Sequence, residues 1–344
     1  MIAEKIFQNM SDEEYFALKN HMSHSLLARY KEEGMNCLNE LPKSSSLVFG
    51  SLVDTMLTNS EDISKFYVVR GLSDAEKDLL YQMIEDKKAK GSDLNDDDMI
   101  KVADEQSWRT NWKRDTRLTK LHEIYSQVTG HEVEHVIDID TFMAASKCVS
   151  ELKESKLTKY IFSGELETVY QGVLTGVYET LKNIDGQILP KKIAFRSKFD
   201  VVLIDETAKV ILPYDLKTTS KPEHEFANSF VKFGYDLQAR IYMTLLKDRL
   251  LELDMNDWTV LPFTFIVVNK DDPKPMLFSV ELPEIGRGNV YTKRGDVLYD
   301  PIYLADRFLT DVECKSNNTK PIEWRDNKVF SLNKILNIKN RNNE

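Results

Sequence analysis

Between residues 195 and 242 the hydrophobic pattern changes period. Phe195–Ile204 and Val210–Thr218 are rich in Val, Ile, Leu and aromatic residues, as strands are, and Asp205–Lys209 between them has turn chemistry. A helix-like run follows, on which Gln238 and Tyr242, four apart, share a face, and it continues to about Leu253. This strand–turn–strand–helix unit is the best-defined block of the chain. Upstream, residues 11–38 read as helices, with Ser11 and Glu14 as a capping box, Ser23 or Ser25 as the next cap and Gly34 as a stop. Helical spacing over 45–59 surrounds Gly50. Phe66–Arg70 is a short strand candidate, residues 74–91 a helix ending at Gly91, and Leu121–Leu157 a helix with an acidic middle. Residues 162–174 read as a strand, and Asp185-Gly186 marks a hairpin-like excursion over 183–192. The continuous apolar run 261–270 predicts a core strand, and 276–283 a strand antiparallel to it. A Gly- and Arg-containing loop over 286–300, which could touch DNA or simply turn, leads to a last helix, PIYLADRFLTDVECK. The mixture predicts an α/β fold with a mixed central sheet flanked by helices, a helical N-terminal part over 1–160 and a sheet and helix over 161–283. Together these form one domain over 1–314, followed by a tail over 315–344.

Composition narrows the class. At 42% hydrophobic and 30% charged residues the chain reads as a soluble globular protein, and no apolar run approaches the roughly 20 residues of a membrane span. No signal-type apolar segment opens the chain, so a cytoplasmic location is expected, without membrane partners. Cys37, Cys148 and Cys314 are scattered, which fits a reducing compartment and argues against zinc or a four-cysteine cluster. A net charge of −10 argues against a passive DNA coat, although binding depends on the local potential in a groove.

The turn sets the chemistry. If Asp205 pairs with Val210, the same register puts Asp200 opposite Asp215, and like charges there are destabilising unless a cation sits between them. Lys217, two residues beyond Asp215, points to the same face. Two acids and an amine on one face suit a hard metal ion and a water. Other polar segments read as ordinary surface. The three Asp of residues 92–99 lack an EF-hand's Gly and distal Glu, and HEVEH at 131–135 has the wrong spacing for HExxH. WRTNWKRDTRLTK at 108–120 suits phosphate or unpaired bases, or a half-buried amphipathic helix. The tail carries seven basic residues against three acids, and it either grips phosphate or is disordered.

Asp200, then Asp215-Leu-Lys217, then Gln238-x-x-x-Tyr242 resembles the PD-(D/E)XK nuclease superfamily, and more narrowly its RecB-like and phage RecE-like exonucleases. The usual Pro before the first Asp is Phe199 here. The resemblance implies a restriction-endonuclease-like core and Mg²⁺ or Mn²⁺ held by Asp200, Asp215, the Leu216 carbonyl and Glu167, whose strand resembles the glutamate-bearing strand of these relatives, with Gly164 ahead of it; Glu165 is the alternative. It implies Lys217 as the catalytic amine and Gln238, Tyr242, Thr218 and Thr219 as the groups that contact DNA. The family's G-x-x-x-His helix appears as Gly50-Ser-Leu-Val-Asp54, so Asp54 is a candidate oxygen ligand in place of His. The resemblance further implies a metal-dependent exonuclease at duplex DNA ends in phage-type recombination, resecting 5′ to 3′ as a ring-shaped homo-oligomer with a single-strand annealing partner. Two other readings stay open: a DNA-binding or assembly module on the same fold without catalysis, and an endonuclease.

Overall fold

The structure is a computed structural model that describes residues 1–39, 45–58, 60–129, 135–184 and 187–316. Its N-terminal part begins with α1 (Ile2–Ile6) and α2 (Asp12–Ala17), then strand β1 (His21–Met22) and α3 (His24–Glu33). The expected caps are in place. Ser11 Oγ accepts from Glu14 N, and Ser23 Oγ accepts from Leu26 N at the start of α3. Next come α4 (Ser45–Thr58), β2 (Phe66–Val69), α5 (Asp74–Lys90), α6 (Asp96–Glu105), α7 (Arg114–Ser126), β3 (His135–Asp138) and α8 (Ile139–Glu154). The long hairpin β4 (Glu167–Ile184) and β5 (Gln187–Asp205) follows, then β6 (Val210–Thr219), α9 (Phe226–Lys232) and α10 (Tyr235–Glu252). The chain continues through β7 (Thr259–Val260), β8 (Phe263–Asn269), β9 (Met276–Val280), the small pair β10 (Val290–Tyr291) and β11 (Val297–Leu298), and α11 (Pro301–Ser316).

The main sheet is mixed, as expected. Its order is β1-β5-β6-β8-β9, with β4 paired to β5 and β7 to β6. The β5–β6 hairpin has the expected register, from Asp205↔Val210 to Val201↔Tyr214. It is fixed by a turn in which Ala208 N donates to Asp205 Oδ1 and Lys209 takes a left-handed φ of 55°. Strand β8 runs parallel to β6 and is buried on both faces, which is why its sequence is a continuous apolar run. Helices cover the sheet on both sides. Leu237, Ile241 and Leu245 of α10 pack with Phe195, Phe199, Ile211 and Phe265. On the opposite side Val48, Leu52 and Val53 of α4 and Ala145, Cys148 and Leu152 of α8 pack with Val201, Leu203 and Ile266. Helices α5–α7 build a separate small core around Leu79, Met83, Val102 and Leu121. All three cysteines are buried free thiols.

Several expectations are corrected. Leu121–Leu157 is not one helix: α7 stops at Ser126, and β3 pairs in parallel with β2 before α8 begins. Val136 and Ile137 fit a helical or a strand period equally, and the pairing with β2 decides. The N-terminal part is therefore not wholly helical. Strand β4 does not end near residue 174 but runs on to Ile184. The Asp185-Gly186 turn, most of HEVEH and the tail from 317 onward lie outside the described residues. The 108–120 segment is not a helix until Arg114. Before it, Arg109 lies 4.9 Å from the Trp108 ring centre and 4.0 Å from that of Trp112, and it pairs with Glu76.

The 286–300 loop is anchored from below by Arg240, which is fully buried on α10. Its guanidinium donates to the carbonyls of Pro283, Glu284, Gly288 and Tyr299 and pairs with Asp300 at 3.0 Å. Arg240→Leu leaves Asp300 buried without its counter-ion, so the folded state is expected to lose about 3–5 kcal/mol in urea denaturation. A loss below about 1 kcal/mol would show that the loop does not depend on this ion pair.

Candidate active site

The site begins where β5 and β6 part. Beyond the Val201↔Tyr214 pair, Asp200 and Asp215 are the next residues in register, and the ladder gives way to a side chain: Leu216 N donates to Asp200 Oδ2 at 2.7 Å. On its other edge β6 pairs with β8 from Tyr214 to Thr219. The Asp215 side chain is only 3% exposed. Its Oδ2 meets Lys217 Nζ in an ion contact without a well-directed hydrogen bond, and its Oδ1 accepts from Gln238 Nε2 on α10. Asp215 and Lys217 thus share a face, as the two-residue spacing predicts.

The opposite helix layer supplies a third acid. Asp54, one turn beyond Gly50 on α4, accepts from Gln171 Nε2 at 3.2 Å on Oδ1 and 3.1 Å on Oδ2. Gly50 matters here because α4 comes close to β6: a Cβ on it would stand 3.2 Å from Thr218 Oγ1. Glu167, expected as the third acid, is not brought to this cluster. It opens β4 opposite Ile204, four positions along from Asp200, a distance of about 13 Å at the usual rise per residue, and its Oε1 accepts from Ala3 N at 3.2 Å. Glu165 is exposed, and its backbone N–H donates to Ser163 Oγ.

Gln238 and Tyr242 occupy the expected face of α10 but are buried, at 1% and 3% exposure. This corrects the expectation that they contact DNA. Gln238 holds Asp215, while the Tyr242 hydroxyl lies 3.3 Å from His24 Nδ1 at the start of α3. His24 and Gln171 carry no sequence signal, because neither stands in a recognisable spacing. Thr218 and Thr219 line a cleft of about 270 Å³ together with Lys217, Lys221, Lys270 and Tyr235. The Lys217 amine lies 4.8 Å from the Tyr235 ring centre. Of the three lysines on this cleft, Lys217 pairs with Asp215 and Lys221 lies 3.6 Å from Glu225. A larger hollow of about 580 Å³, lined by Asp74, Lys77, Asp78, Tyr81 and Asp138 among others, also reaches Lys270; none of the three acids lines either space, and Lys217 is the residue that joins the smaller one to Asp215.

The electrostatics tie the acids together. Burial raises the Asp200 carboxyl well above the usual carboxylate range, and Asp215 and Asp54 push it further. Asp54 is pushed up to about 6, first by burial and then by Asp215. Burial works against the Lys217 ammonium, yet Asp215 and Asp200 outweigh it and raise the amine above its ordinary value. His24 is lowered to about 3 by burial and by Lys217, so its imidazole is neutral near pH 7.

The folded value of Asp54, near 6, lies above its unfolded value, so folding is penalised once the carboxylate must ionise. The stability linked to this group is fully present below about 4 and is lost as pH rises through about 6. Asp54→Asn removes that loss. In EDTA the variant is expected to melt higher than wild type near pH 7.5, with the difference shrinking as pH falls through about 6. His24, with the opposite sign, and Asp236, also pushed up to about 6 by burial, cancel in the difference between the two proteins. Parallel melting curves across this range would contradict the assignment.

The donor set fits a hard divalent cation. It consists of the carboxylate oxygens of Asp54, Asp200 and the buried Asp215, the last with its Oδ2 in ion contact with Lys217. Among the described residues no three His, Cys, Asp or Glu side chains stand together as a group that could hold a metal ion; Leu216 N, Gln238 Nε2 and Gln171 Nε2 donate to Asp200, Asp215 and Asp54. Also among the described residues, no helix is long and apolar enough to cross a membrane.

Residues 23–279 match the profile of a family described as a PDDEXK-like domain of unknown function (DUF3799), a span that contains every candidate above. No curated protein sequence matches the chain. Among solved structures, a "putative exonuclease" from Eubacterium rectale is 14% identical with a TM-score of 0.42, over 95% of this chain and 98% of its own. SSO0001 is 11% identical with a TM-score of 0.25, over 74% of this chain and 92% of its own.

Proposed function

This chain belongs to the PDDEXK-like domain family of the PD-(D/E)XK nuclease superfamily, and from that premise we propose that it is a divalent-metal-dependent DNA exonuclease acting at duplex ends. The observation that carries the reading is the buried Asp215 carboxylate, in ion contact with Lys217 and within electrostatic reach of Asp200 and Asp54. Asp54, Asp200, Asp215 and the Leu216 carbonyl would hold Mg²⁺ or Mn²⁺. When bound, such an ion lowers the pKa of a water and stabilises charge on the phosphoryl group.

The remaining work falls to this chain's own side chains. Lys217 lines the cleft beside Asp215, where its ammonium orients the attacking water and stabilises charge developing on a phosphate oxygen. Gln238 holds Asp215 from α10, fixing the carboxylate that faces the amine. Thr218 and Thr219 offer hydroxyls on the same cleft, and Lys221 and Lys270 supply charge for a phosphate backbone. The preference for duplex ends, and a recombination-type role, rest on the ordered Asp, Asp-x-Lys, Gln-x-x-x-Tyr resemblance.

The test is digestion of end-labelled linear duplex and of a covalently closed circle of the same sequence, with Mg²⁺ and with EDTA. Release of nucleotides from the linear substrate in Mg²⁺ alone, with the circle intact, is the expected result. Cleavage of the circle would replace the exonuclease reading with an endonuclease one. Hydrolysis of neither would overturn catalysis and favour a DNA-binding module.

A further inference from the structure

Strands β4 and β5 are disturbed at a single level. Gln171 takes a left-handed φ of 54°, in the middle of a strand and without being glycine. It stands across from Asp200: the ladder is in register on both sides, Tyr170↔Val201 and Gly172↔Phe199, and is interrupted between them. The alternation of buried faces slips at the same level. On β5, Phe195 and Phe199 before it and Val202 and Ile204 after it all pack in the core beneath α10, so one residue of the pleat is skipped. On β4 the slip falls between Val169 and Leu174. Left-handed backbone is costly for a residue with a Cβ, and inside a strand it forfeits ladder bonds as well; such outliers persist where the surroundings hold them and cluster at functional sites.

The result of the distortion is specific. The Gln171 amide reaches across to α4, and its Nε2 lies within hydrogen-bond distance of both oxygens of Asp54. The slip leaves Asp200 at the changeover between the side of the sheet that carries Asp215 and α10 and the side that carries α4. The next residue, Gly172, supports this placement: a Cβ there would stand 2.8 Å from the Phe7 ring, so the N-terminal segment is packed directly against the disturbed level.

We propose that Gln171 is a positioning residue of the acidic centre, held in a left-handed conformation so that its amide clamps the Asp54 carboxylate in place beside Asp200 and Asp215 for a divalent cation. This rests on the metal-dependent reading of the site and assigns a role that none of the nuclease motifs covers. Groups that hold a ligating carboxylate typically change metal affinity about 10–100-fold when removed.

The experiment measures Mn²⁺ binding to the full-length protein by water-proton relaxation, alongside thermal unfolding in EDTA, for wild type, Asp215→Asn, Gln171→Gly and Gln171→Asn. Glycine accepts the left-handed backbone without a side chain, and asparagine tolerates it but is one methylene too short to reach Asp54. Both Gln171 variants are expected to bind Mn²⁺ about 10-fold more weakly than wild type while melting within a few degrees of it without metal. A merely structural clamp would move the melting temperature and leave the affinity alone. If wild type binds Mn²⁺, Asp215→Asn weakens it and both Gln171 variants bind as wild type does, this inference fails and the nuclease reading stands. If wild type binds no Mn²⁺, both fail. If the glycine variant does not fold, the asparagine variant decides, and if neither folds, Gln171 is a structural residue and the inference is overturned.

Discussion

Lys217→Ala is expected to lower the rate of Mg²⁺-dependent DNA hydrolysis by about 10³-fold, with Mn²⁺ binding retained. The amine lies beside the Asp215 carboxylate on the cleft, where charge develops on the reacting phosphate. It is also the cation that burial disfavours and that Asp215 and Asp200 hold charged. Removing it therefore has a second consequence: in EDTA, Asp54, Asp200 and Asp215 face one another without a neighbouring ammonium. Breaking a buried pair of this kind typically costs about 3–5 kcal/mol. The metal-free variant should melt well below wild type, and saturating Mg²⁺ should raise its melting temperature more than it raises that of wild type. Unchanged hydrolysis in Lys217→Ala would end the assignment of this amine to the chemistry. A fall in rate accompanied by lost Mn²⁺ binding would show instead that the lysine shapes the acidic centre.

Asp215→Asn has the other large expected effect. Asparagine can still accept from Gln238, so the fold around α10 is retained. The charge that raises both Asp200 and Asp54 is gone, and with it a carboxylate oxygen for the cation. Hydrolysis should fall by about 10³-fold or more and Mn²⁺ affinity by about 10–100-fold. The metal-free variant should meanwhile lose part of the pH-dependent instability between about pH 5 and 7, because Asp54 and Asp200 ionise more easily without it. Retained hydrolysis in this variant would remove Asp215 from the site. Lys217 loses its partner in this variant but keeps Asp200 nearby, so the melting temperature should fall less than in Lys217→Ala; an equal or larger fall would show that the carboxylate serves the fold more than the cation.

The parts of the site that were legible in the sequence are those set by local chemistry. The Asp205–Lys209 turn fixed the β5–β6 register, and that register alone put Asp200 against Asp215 with Lys217 two residues on. The i, i+4 spacing put Gln238 and Tyr242 on the face of α10 turned toward β6, but spacing does not report burial, and both side chains sit beneath the acids rather than on the cleft. Asp54 was reachable only through the Gly50-x-x-x-Asp54 resemblance. Glu167 rests on the resemblance of its strand to the glutamate-bearing strand of the relatives, and such a likeness does not state how far along the sheet the residue lies from Asp200: it stands opposite Ile204. Gln171 and His24 were invisible: a left-handed residue within a strand and a neutral histidine at a helix start are settled by long-range packing. The same is true of β3, whose four residues become a strand only by pairing with β2 some 70 residues away.

If Asp54, Asp200 and Asp215 gather around a divalent cation beside Lys217, anomalous scattering from crystals soaked in Mn²⁺ will locate it. An Mn²⁺ peak is expected bonded to oxygens of Asp200 and Asp215, at about the 2 Å usual for a small hard cation, with Lys217 next to it. Crystals that show no peak there, or a peak at Glu167 and none between the two aspartates, would contradict this arrangement.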